Sequence, residues 1–160
     1  MFRPTTPADT PALLALTTGT GVFKPHEVET LEEVLDDFHR EGAEYGHVCL
    51  TLEDGGAAVG FVYFSPVAMT DRTWELWWIV VGKDRQGRGT GRWLLDRVEQ
   101  HIVQLGGRLL LIETSSTPHY DPTRRFYLNN GYTLAAQIAD FYCDGDDKCV
   151  FRKRLNAVAS

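Results

Sequence analysis

The chain has 160 residues, 43% hydrophobic and 24% charged, with a net charge of −6. This is the balance of one folded globular domain spanning 1–160, and it excludes wholesale disorder, a collagen and a coiled-coil rod. The acidic excess argues against a nucleic-acid partner, and the longest apolar run, six residues from Leu76 to Val81, is far short of the roughly 18 that a membrane helix needs.

From the N-terminus, a brief strand at Phe2-Arg3 precedes a short helix opened by Thr6-Pro7-Ala8-Asp9 and running to about Thr17. Its apolar stretch, Ala12 to Leu16, is too short for the core of a signal peptide, so a cytoplasmic location is expected. Val28, Leu31, Val34, Leu35 and Phe38 recur at helical spacing. Glu27, Glu29, Glu32, Glu33, Asp36 and Asp37 fill the other face, giving an amphipathic helix that ends near Gly42.

Strand signals follow. Val48–Leu52 and Ala58–Phe64 flank Asp54-Gly55-Gly56 and read as a hairpin. Trp74–Val81 is apolar on both faces, which suggests a central strand. A helix from about Gly89 to Leu105 carries Leu94, Leu95, Val98, Ile102 and Leu105 on one stripe, and Gly106-Gly107 end it. Arg108–Glu113 is another strand. Asp121-Pro122 start a helix that Gly131 stops. Tyr132–Tyr142 and Lys148–Leu155 read as two strands joined by Asp144-Gly145-Asp146-Asp147. Helices and strands interleave around one sheet, so the class is α+β, or mixed α/β.

Metal and redox chemistry find little support. Cys49, Cys143 and Cys149 show no C-x-x-C spacing and read as buried or half-buried thiols. The acidic turn at Asp144–Asp147 is too short for an EF-hand. No metal is expected.

The chemistry lies between the central strand and the long helix, in Gln86-Gly87-Arg88-Gly89-Thr90-Gly91-Arg92. Its glycines let the backbone approach a ligand closely, and the following helix presents unpaired N–H groups and the positive end of its dipole. Lys83, Arg85, Arg88 and Arg92 surround it in an otherwise acidic chain. The result is an anion site suited to phosphates. It is not a P-loop, which needs Gly-Lys followed by Ser or Thr. Nor is it a dinucleotide fingerprint, since Arg92 stands where the last glycine belongs.

These residues resemble the GNAT superfamily of N-acetyltransferases, whose pattern Q/R-x-x-G-x-G/A is matched by Gln86, Gly89 and Gly91. The family's Y-x-x-x-G-F/Y on the next helix is matched by Tyr127, Gly131 and Tyr132. Tyr120 stands where many members have an asparagine. The element order resembles the family's over essentially the whole chain. The resemblance implies a mostly antiparallel sheet of about seven strands flanked by about four helices. It implies acetyl-CoA as co-substrate, its pyrophosphate held by the backbone of Gln86, Gly87, Arg88, Gly89, Thr90, Gly91 and Arg92. It also implies a strand N–H, at Ile79, Val80 or Val81, facing the thioester oxygen, with a β-bulge there opening a cleft.

Acetyl transfer to an amine needs a base for the amine and an acid for the departing thiolate. Tyr127 suits the acid, because a phenol of pKa about 10 is protonated at neutral pH. Glu75 suits the base: it interrupts the apolar strand Trp74-Glu75-Leu76-Trp77-Trp78, where desolvation raises a carboxyl toward neutrality. It also stands eleven residues before Gln86, the place of the base in some protein-acetylating members. Glu113, Asp140 and ordered water are its rivals. The expected activity is transfer of acetyl to a primary amine of a small molecule, peptide or protein. The alternative is an acyl-CoA-binding regulatory module without turnover. Monomer and homodimer both remain open.

Overall fold

The computed structural model describes residues 1–155. Among these residues seven strands form one sheet in the order β1-β2-β3-β4-β5-β7-β6, with four α-helices. By backbone contacts the chain divides into two units: Met1–Ser65 with Trp78–Val98, and Pro66–Trp77 with the residues from Glu99 on.

The first unit contains β1 (Phe2–Pro4), α1 (Thr10–Gly19), α2 (Pro25–Arg40), β2 (Val48–Asp54) and nearly all of β3 (Ala57–Pro66). It also holds the distal end of β4 (Thr73–Val81) and the first half of α3 (Thr90–Gln104). Arg3 pairs with both Asp9 and Glu53 at 2.8 Å, pinning β1 beside β2. β2 and β3 form the expected hairpin, from Val48↔Phe64 to Asp54↔Ala57, with a register shift after Leu52. Gly55 and Gly56 close it at φ 60° and 81°, the left-handed values that a two-residue hairpin turn demands. The spacing read from α2 works as expected. Leu31 and Leu35 are fully buried with Leu13, Cys49, Phe61, Tyr63 and Val80, while Glu29, Glu32, Glu33, Asp36 and Asp37 are exposed. The helix stops at Arg40; Gly42 instead opens a short 3-10 turn.

The second unit holds the proximal end of β4, β5 (Leu109–Ser115), α4 (Asp121–Asn129), β6 (Thr133–Cys143) and β7 (Asp146–Arg154). β4 and β5 are parallel, from Thr73↔Leu109 to Leu76↔Ile112. β5 and β7 are antiparallel over the whole length of β5, and β7 pairs in turn with β6. Leu110, Ile112 and Phe151 are buried together on one sheet face. Glycine is required at Gly107 because a side chain there would collide with Ile102 and Trp74.

Two local expectations change. β7 begins at Asp146, so the last hairpin turn is tighter than the acidic run suggested. Cys143 is exposed, not buried, because it ends the edge strand β6, while Cys49 and Cys149 are buried. Among the described residues no helix is long and apolar enough to cross a membrane. None of their His, Cys, Asp and Glu side chains group as a metal site would require.

Candidate active site

In the first unit, β4 delivers the chain into a 3-10 turn, Lys83–Arg85, and then into α3. Gly82 anchors the strand end by donating its N–H to the carbonyl of Val59 at 2.9 Å. Gln86 braces the loop: its Nε2 donates to the carbonyl of Val81 at 3.1 Å. Gly87 and Gly89 take φ of 75° and 81°, which side-chain-bearing residues rarely adopt. A Cβ at either would meet nothing within 4 Å, so backbone conformation and not crowding demands glycine here.

α3 begins at Thr90, one residue later than expected, and Trp93 donates back to the carbonyl of Gly89 at 3.0 Å. The N–H groups of Thr90, Gly91 and Arg92 therefore precede the first full helical bond and point out of the helix start. Lys83, Arg88 and Arg92 are exposed, whereas Arg85 is tied to Asp54 at 2.5 Å. A cavity of about 350 Å³ lies beside this start, lined by Leu52, Arg88, Gly89, Thr90 and Trp93. Trp93 is held edge-on to Phe2, ring centres 5.2 Å apart, with the Arg97 guanidinium over its own ring. On the strand that feeds the loop, Val80 is buried and Ile79 and Val81 are half-buried.

The second unit carries the titratable groups. Glu75 is 9% exposed. It lies opposite Leu111 in the parallel pair, so Glu113, two residues further along β5, shares its sheet face. Lys148 of β7 lies opposite Ser115 and joins the same face. The side chains meet: Glu75 is hydrogen-bonded to Glu113, and Lys148 Nζ stands 2.9 Å from Glu113 Oε1. Lys148 also sits 4.3 Å above the ring centre of Phe141 on β6. Burial, then the Glu113 charge and hydrogen bond, raise the Glu75 carboxyl to about 7, with Lys148 pulling the other way.

Tyr127 lies on α4, buried against Phe151 and Tyr132 with ring centres 5.8 and 6.0 Å away. Burial pushes its phenol above the usual range, so it stays protonated. Tyr132 donates to Glu99 at 2.9 Å and Lys153 contacts the other oxygen of Glu99 at 2.8 Å, fixing the end of α4 through the carbonyl of Asn130.

Glu75 and Glu113 read as rivals in sequence; the fold makes them neighbours. Asp140 is engaged elsewhere, accepting the Gly145 N–H at 2.8 Å to close the β6–β7 turn. The contribution of Lys148 was missed. The period-2 alternation of β7 does put Lys148 and Arg152 on one face, but which face meets Glu113 depends on strand register.

The family model of the acetyltransferase (GNAT) family matches residues 13–132. A Desulfovibrio desulfuricans protein described as a GNAT-family acetyltransferase is 34% identical, with 98% of this chain and 99% of that one covered at a TM-score of 0.93. An aminoglycoside 6'-N-acetyltransferase solved with coenzyme A shares the fold at 17% identity, covering 100% and 99%, TM-score 0.74. So does a Salmonella typhimurium protein described as an acetyltransferase and solved with acetyl-CoA, at 18% identity, 100% and 96% coverage and TM-score 0.75. No curated protein sequence matches the chain. With a family model spanning most of its length and a 34% identical structure covering nearly all of it, the chain belongs to the GNAT acetyltransferase family.

Proposed function

We propose that this protein transfers the acetyl group of acetyl-CoA directly to a primary amine of a small molecule, peptide or protein, with residues 1–160 acting as one domain. The observation that carries this reading is the buried Glu75 carboxyl, raised to about 7 beside Glu113. A base near neutrality removes an amine proton without being fully protonated itself.

The start of α3 supplies N–H donors and a helix dipole for the pyrophosphate, from Gln86 through Arg92. An N–H of Ile79, Val80 or Val81 supports the thioester oxygen as negative charge builds on it. Glu75 takes the amine's N–H proton, leaving the electron pair on nitrogen to form the new C–N bond. The C–S bond then breaks, Tyr127 gives its phenolic proton to sulfur, and the second proton leaving the nitrogen restores the phenol. The family match from 13 to 132 includes residues of both units and supports treating them as one working domain. Two relatives carry coenzyme A or acetyl-CoA, which supports the choice of cofactor.

The test is thiol release from acetyl-CoA across a panel of amines and peptides. Release that requires a particular amine is expected. Cofactor binding without release for any amine would leave a non-catalytic acyl-CoA-binding module.

A further inference from the structure

The proposed base does not stand alone. Three strands, β4, β5 and β7, contribute Glu75, Glu113 and Lys148 to one sheet face, and β6 adds the Phe141 ring beneath the ammonium. Arg152 stands on the same face of β7 but is exposed. Two neighbouring carboxyls bind a first proton more tightly than one alone, since two adjacent anions repel. Which oxygen carries it depends on the surrounding charge. Lys148 lies 2.9 Å from Glu113 Oε1, and its side chain is only 16% exposed, so solvent screens the ion pair weakly.

We propose that Lys148 is the positioning residue of the base: it holds Glu113 as the anion, so that a proton taken up by the pair settles on Glu75. This rests on Glu75 being the base. When an amine gives up its proton, the N–H bond breaks and an O–H bond forms on Glu75. The electron pair stays on nitrogen, and the new acid donates to the fixed Glu113 carboxylate. Glu113 strengthens the base by accepting that hydrogen bond. Lys148 limits the effect, so that the pair still releases its proton near neutrality. The Phe141 ring, 4.3 Å away, keeps the ammonium in place by cation–π attraction.

A salt bridge that merely joined β5 to β7 would affect melting and leave proton uptake alone. The experiment therefore follows the ¹³C carboxyl resonance of Glu75 against pH in the intact protein, beside the pH dependence of kcat. The wild-type midpoint is expected near 7. Lys148→Met should raise it by about one pH unit or more, the effect of losing a close opposite charge. Glu113→Gln should lower it by about as much, and Lys148→Arg should keep it. An unchanged midpoint in Lys148→Met overturns the proposal, as does a Lys148→Arg midpoint that moves as far as the Met variant's. If Lys148→Met does not fold, the opposed expectations for Glu113→Gln and Lys148→Arg still decide. The resonance needs no turnover, so the two readings separate. Midpoints that move as expected while the kcat profile stays still uphold the charge arrangement and remove Glu75 from proton transfer.

Discussion

The loop before α3 and the carboxyl pair on the β4–β5–β7 face, the two regions proposed to handle charge, are built by opposite means. At the loop, Gln86, Gly87, Arg88 and Gly89 are exposed, and the donors are backbone N–H groups at a helix start. Seven consecutive residues suffice to build it. The carboxyl pair uses side chains 38 and 73 residues beyond Glu75 in the numbering, at Glu113 and Lys148, and its chemistry comes from burial. An anion arrives with its charge already formed, and oriented dipoles satisfy it. A base near neutrality must be created by withdrawing a carboxyl from water, which takes a folded sheet on every side. One region is thus local and tolerant of its surroundings; the other depends on register across three strands.

The largest expected effect falls on the buried region. Glu75→Gln keeps the shape and removes the proposed base, so kcat at neutral pH should drop by about 10²–10⁴-fold while the acceptor's KM changes little. Activity should return as pH rises, because free amine then forms without help. A raised KM with no high-pH recovery would recast Glu75 as a binder of cationic acceptor. Tyr127→Phe should fold and bind acetyl-CoA, since a phenyl ring fits against Phe151 and Tyr132. Its kcat should fall by about 10²-fold, and an unchanged kcat would leave Tyr127 a packing residue.

At the loop, Gly89→Glu should weaken acetyl-CoA binding by roughly 10–100-fold. A side chain at φ 81° is strained by about 1–3 kcal/mol, and the new carboxylate repels the pyrophosphate. Calorimetry reads this directly, and full affinity in a folded variant would detach the cofactor from the loop.

The pair also has a cost in stability. Folding raises the Glu75 carboxyl from its ordinary 4.5 to about 7, so the folded state favours the protonated form. Below pH 4.5 both states hold the proton; stability falls as pH rises from 4.5 to about 7, and the loss is complete above that. Glu75→Gln should therefore melt higher than wild type at pH 8, by about 5 °C, and match it near pH 4. Equal melting temperatures at pH 8 would mean that the carboxylate is well solvated. The smallest effect belongs to Gln86→Ala, which removes the brace to Val81. One hydrogen bond of about 0.5–1.5 kcal/mol gives roughly a 2–10-fold loss of cofactor affinity, with kcat preserved.

Much of this was legible in the chain itself. The spacing of Leu31 and Leu35 placed α2 on the core, Gly55-Gly56 placed the hairpin, and Gln86 through Arg92 placed the glycine loop before α3. Each depends on periodicity or on a backbone angle that a few neighbouring residues impose. Glu75 was legible as a carboxyl in an apolar strand, because such a residue has to find a partner or lose its charge.

What the sequence by itself determined, then, was the order of elements, the helix faces and the turn that glycine requires. Tertiary structure decided that Glu113 is the neighbour of Glu75 instead of its rival, and that Lys148 and Phe141 join them. A strand shows its two faces in its own alternation, but the neighbour each face meets is set by register, and a slip of one residue exchanges the faces. The exposure of Cys143 has the same origin: nothing in its local sequence says that β6 lies at the edge of the sheet.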